Sequence, residues 1–83
     1  MGYDTERRFG GRFADAYKPG EIHQIGGMNL RGDPIARERD AIMDIINSGL
    51  ADNHTIYFWN KVSGHKFKIY ENSQIVLPSW GAR

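Results

Sequence analysis

Between residues 35 and 50 the apolar positions recur at helical spacing. Ile35, Ile42, Ile45 and Ile46 fall on one stripe, while Arg37, Asp40 and Asp44 point elsewhere. The pattern predicts a helix over 34–48. Asp33 stands where a side-chain cap for the orphan amides is wanted, and Pro34 fits the first helical position. Gly49 suits the left-handed residue that closes a helix, with Leu50 expected to fold back on Ile45.

At Thr55 the period changes from helical to alternating. "TIYFWNKVSGHKFKIYE" predicts a hairpin over 55–71. A turn centred on Ser63-Gly64 pairs Lys61 with Lys66, Trp59 with Lys68, and Tyr57 with Tyr70. One face then carries Ile56, Phe58, Phe67 and Ile69 as core. The other carries Tyr57, Trp59 and Tyr70 with Lys61, Lys66 and Lys68. A three-residue loop with Gly64 in a bulge shifts the pairing by one and scatters the lysines differently among the aromatics. The first register separates apolar from basic side chains more cleanly and is the one expected.

Three further segments are shorter. "EIHQIGGMNLRG" predicts a strand within 21–30, with Gly26-Gly27 suited to a two-residue turn. "SQIVLPSW" predicts an edge strand over 74–78, since Pro78 cannot donate to a ladder. Beyond it, Trp80 either frays or covers one end of the core. Residues 1–20 show no sustained period and are interrupted by Gly10-Gly11 and Pro19-Gly20. They read as an N-terminal arm bearing Arg8, Phe9, Arg12, Phe13 and Tyr17, ahead of a single domain at 21–83. Deleting residues 1–18 is accordingly expected to leave that domain folded.

Composition narrows the function. The chain has 83 residues, 40% hydrophobic and 25% charged, with no cysteine. This is the balance of one soluble globular domain without disulfides or thiolate metal sites. No apolar run is long enough to span a bilayer. "MGYDTERRF" lacks a signal-peptide core, and Glu6 occupies the place a myristoylation motif reserves for Ser or Thr. A cytoplasmic location is the expectation. The net charge is +1, which argues against a surface given over wholly to nucleic acid. The charge is polarised nonetheless. Residues 33–52 hold Asp33, Glu38, Asp40, Asp44 and Asp52 against Arg37 and Arg39, a net of −3. Residues 53–70 hold Lys61, Lys66 and Lys68 with no acid, a net of +3.

Candidate chemistry is sparse. "RGD" at 31–33 is explained by the predicted capping role of Asp33. His23, His54 and His65 lie on separate segments, without the spacing of zinc ligands. No serine has a nucleophile motif around it, and Gly26-Gly27 lacks the Lys-Ser or Lys-Thr of a phosphate loop. Asp40 and Asp44 fit a solvated helix face. "RRFGGRF" at 7–13 has the texture of RNA-binding tails, but as one copy diluted by Asp4, Glu6 and Asp15.

The expected fold is therefore α+β: a small antiparallel sheet of three to five strands with one amphipathic helix packed across it and an N-terminal arm. The expected function is non-enzymatic binding, without cofactor, metal or membrane. The partner is a protein or a second copy of the chain, engaged by Tyr57, Trp59, Tyr70, the three hairpin lysines and the arm residues. The alternative is a nucleic-acid-binding module using the same Tyr/Trp/Lys surface. The size is that of many phage accessory proteins, and size alone assigns nothing.

Overall fold

The computed structural model describes residues 2–81. Its main helix, α1 (Ala36–Asn47), runs for 12 residues. Ile42 and Ile45 on its inner stripe are fully buried, and Ile46 packs beside them. They meet Ile22, Ile56, Phe58 and Ile69 from the sheet in one apolar core. Burial of that stripe holds the helix in place, since twelve residues are marginal as an isolated helix in water.

The ends of α1 depart from expectation. Its N-cap is Ile35, with no side-chain cap. Asp33 is occupied elsewhere: its Oδ1 accepts the Ser79 hydroxyl at 2.8 Å. The Asn29 side chain accepts the amides of Arg31 and Asp33. These bonds hold a tight loop that delays the helix past Pro34. At the other end Gly49 does take the left-handed conformation, with φ +80. Leu50 is exposed, and Ala51 turns into the core instead.

Among the described residues seven strands complete the fold: β1 (Arg8–Phe9), β2 (Arg12–Phe13), β3 (Ala16–Lys18), β4 (Glu21–Gly26), β5 (Thr55–Asn60), β6 (Lys66–Glu71) and β7 (Gln74–Ile75). The first two form a separate small hairpin, and the other five form one sheet in the order β3-β4-β5-β6-β7. The molecule is α+β, and most of its strand pairs are antiparallel. The central pair, β4 with β5, is parallel, with Ile22 beside Ile56 and Gln24 beside Phe58. Gly26-Gly27 makes no hairpin. The chain runs on to α1 and crosses back over one face of the sheet, as a parallel connection requires. Gly26 is packed closely, because a Cβ there would collide with the side chain of Glu38.

The β5–β6 hairpin has its own register, with Trp59 opposite Lys66, Tyr57 opposite Lys68, and Phe58 opposite Phe67. Asn60 explains the difference from the expected pairing. Its Oδ1 accepts the amides of Val62 and Ser63, and its carbonyl accepts the amide of Gly64. The loop is thus set at Lys61–Gly64 rather than centred on Ser63-Gly64. The offset is even, so Phe58, Phe67 and Ile69 still face the core while Tyr57, Trp59, Lys66 and Lys68 face away from it. A bulge between Ile56 and Tyr57 then breaks the alternation. Tyr70 is turned inward, buried, with its hydroxyl donating to Asp52 at 3.3 Å.

The segment read as an arm is built into this body. β3 is the sheet's first strand, and Asp4 exchanges backbone bonds with Tyr17 along its outer side. Phe9, Ala14 and Tyr17 belong to the core. The expected edge strand over 74–78 is only β7, after which Pro78 opens a short second helix, α2 (Pro78–Gly81). Trp80 packs against the core, with the Arg39 guanidinium 5.5 Å from its ring centroid.

Candidate functional site

Since α1 covers one face of the five-stranded sheet, the side chains that alternate with the core residues lie on the other. On β4 these are Glu21, His23 and Ile25; on β5, Tyr57 and Trp59; on β6, Lys66 and Lys68. Ala16 and Lys18 of β3 stand beside His23 and Glu21 on this face. Tyr3 is laid over it, edge-on to His23 with centroids 5.1 Å apart.

His23 sits at the centre and is 2% exposed. Its ring stacks on Tyr57, with centroids 4.9 Å apart and planes at 12°. Trp59 Nε1 donates to Nδ1 at 2.9 Å, so the ring proton is assigned to Nε2, which donates to Glu21 Oε1 at 2.9 Å. That hydrogen bond holds the Glu21 carboxyl below its ordinary value against the opposing effect of desolvation, with smaller help from the positive charges of Lys18 and Lys66. The chain Trp59–His23–Glu21 fixes the orientation of both rings. It also engages both imidazole nitrogens, leaving neither to act as a base on a ligand.

Around this centre Tyr3, Ala16, His23, Ile25 and Trp59 line a shallow hollow of about 270 Å³. Ile25 at its edge is 48% exposed. Lys66 reaches over the aromatic pair, its Nζ 4.9 Å from the Tyr57 centroid and 5.1 Å from that of Trp59. Lys18 lies 5.2 Å over Tyr3. Lys68 bonds Glu71 at 3.0 Å, which raises the pKa of its ammonium group. The result is an apolar and aromatic floor with the ammonium groups of Lys18 and Lys66 at its rim beside the Glu21 carboxylate, and the Lys68–Glu71 pair farther along β6.

Of the residues singled out in the sequence, the fold brings together Tyr57, Trp59, Lys66 and Lys68. Lys61 is exposed in the loop after β5, its amide bonded to the Gly26 carbonyl. Tyr70 belongs to the core because of the bulge. Phe9 and Tyr17 are buried too, in an aromatic cluster with His54. Arg8 and Phe13 remain outside, the guanidinium 4.9 Å from the ring centroid, and Arg12 pairs with Asp44 at 2.9 Å. Arg12 and Phe13 line a second cleft of about 410 Å³ against α1. Ile25 borders both hollows, so the exposed residues of the small hairpin adjoin the open face.

Sequence reasoning missed Tyr3, Lys18, Glu21, His23 and Ile25. The alternation in "EIHQI" was the available signal, since it places Glu21, His23 and Ile25 on one side. It becomes informative only once β4 and β5 are known to run parallel. Among the described residues no cluster of three or more His, Asp or Glu is placed to hold a metal, and no helix is long and apolar enough to cross a membrane. No family model matches the chain, and no curated protein and no solved structure matches it.

Proposed function

We propose that this protein is a non-enzymatic binding module that engages a protein partner through the open face of its sheet. The observation that carries the reading is the hollow among Tyr3, His23, Ile25 and Trp59, left uncovered and ringed by lysines. Rigid aromatics held by internal hydrogen bonds lose little entropy on binding, and such residues dominate interface energetics. The hollow accepts one apolar anchor side chain, and Lys18 and Lys66 favour acidic groups around it.

The rival is a single-stranded nucleic acid, which Lys66 beside two aromatic rings would suit. The ring faces tell against it. Tyr57 is already stacked on His23, and Lys66 lies over both Tyr57 and Trp59. A base would have to displace these groups before it stacked.

Affinity capture from a lysate of the source organism, with and without nuclease, separates the two, alongside a salt titration with a labelled oligonucleotide. The reading predicts one stoichiometric protein that survives nuclease and no oligonucleotide binding near physiological salt. Oligonucleotide binding that weakens with a log–log slope near −2, about −0.7 for each of three phosphates, would favour nucleic acid instead.

A further inference from the structure

Where the open face meets the edge of the sheet, the backbone itself is unpaired. β7 pairs with β6 only through Tyr70 and Glu71, with one further bond from the Val76 amide to the Ile69 carbonyl. No described residue pairs with the outer side of β6 from Lys66 to Lys68. The register settles which groups point outward. The Asn60 amide donates to the His65 carbonyl at 2.8 Å, which makes Asn60/His65 a hydrogen-bonded pair. In an antiparallel ladder such pairs alternate, so Phe58/Phe67 is the next one. Trp59/Lys66 and Tyr57/Lys68 are the non-hydrogen-bonded pairs, and the amide and carbonyl groups of Lys66 and Lys68 are directed away from β5. Side chains along the same edge alternate in chemistry. Lys66 and Lys68 stand on the open face, while His65 and Phe67, stacked with centroids 5.9 Å apart, lie on the other.

From this edge we infer that the partner contributes an extended segment that adds as a strand to β6, with acidic residues beside Lys66 and Lys68 alternating with apolar residues beside Phe67. Main-chain hydrogen bonds supply the affinity of such strand addition, and the alternating side chains supply its specificity. An acidic occupant follows from Lys66, whose ammonium group is bonded to no carboxylate among the described residues and lies over Tyr57 and Trp59, while Lys68 beside it is held by Glu71 at 3.0 Å and would share an incoming carboxylate. Lysines on an edge also disfavour pairing of two identical edges, so the same feature that admits an acidic strand rejects a second copy. The inference deepens the proposed function: the open face supplies the anchor hollow, and β6 supplies the rail beside it.

The probe is a capped hexapeptide of sequence Glu-Val-Glu-Val-Glu-Val, with Lys-Val-Lys-Val-Lys-Val as control, titrated into the full chain labelled with ¹⁵N. At about ten times its dissociation constant the acidic peptide should slow exchange of the Lys66 and Lys68 amides about tenfold, and the basic peptide should not. Lys66→Pro, which removes an outward amide without touching the β5 ladder, should abolish the effect. If that variant fails to fold, Lys66→Glu keeps the amide and should shift preference toward the basic peptide. Shifts at His23, Tyr57 and Trp59 with β6 amides unaltered would overturn strand addition while leaving the open face as the binding surface. No binding at millimolar peptide, or equal binding of both peptides, would overturn the acidic-strand inference. Protection of the β6 amides that rises with protein concentration alone would overturn it in favour of self-pairing.

Discussion

Phe58 is fully buried, and its ring lies 5.8 Å from that of Phe67 across the hairpin. Truncating it removes the largest fully buried side chain in the core, so Phe58→Ala should cost about 3–5 kcal/mol in denaturant unfolding. Phe13→Ala, at an exposed site, should stay within about 0.5 kcal/mol. Glu21 gives a test of a different kind. Its lowered pKa means that its contribution to stability is present above the ordinary value of 4.5 and is lost as the pH falls through the lowered value. Glu21→Gln should therefore be less stable than the parent near neutrality. The gap should close as the pH falls below 4.5 and through the lowered value. A gap constant with pH would show that the His23 bond does not stabilise the folded carboxylate.

Among the elements, α1 and the hairpin were legible because their signals are local. A stripe of isoleucines and a period of two depend only on neighbours in sequence. The elements that were missed depend on distant groups. Asp33 fails as a cap because Ser79, 46 residues on, takes its carboxylate. The β4–β5 pairing is parallel because α1 intervenes between the strands, which a residue-by-residue pattern does not report. The bulge that buries Tyr70 answers to packing against Asp52 and the core, and nothing around Tyr70 in the sequence signals it. The N-terminal segment lacks a period because its pieces are two-residue and three-residue strands. Phe9 and Tyr17 find their groove within the same chain, while Phe13 stays exposed. Removal of residues 1–18 takes Phe9, Ala14, Tyr17 and all of β3. The truncated chain should therefore lose cooperative unfolding and amide dispersion; retention of both would restore the picture of a detachable arm.

At the scale of the whole molecule, the one long helix divides the sheet into a covered and an uncovered side. The covered side carries the core of isoleucines and buried aromatics and explains stability. The uncovered side carries the Trp59–His23–Glu21 chain, the hollow and the lysine rim, none of which the core requires. The edge of β6 adjoins it, and α1, with Glu38, Asp40 and Asp44 against Arg37 and Arg39, lies on the opposite layer. That juxtaposition is the ground for a binding surface, and the most direct test compares the two sides. In quantitative capture from nuclease-treated lysate, the parent chain, Trp59→Ala, Ile25→Asp and the helix-surface variant Asp40→Ala would be measured side by side, each first shown to be folded. The account predicts that Trp59→Ala and Ile25→Asp lose the captured protein, Trp59→Ala by at least about 2 kcal/mol, while Asp40→Ala retains it. Retention by both open-face variants, with loss on the helix side, would contradict it.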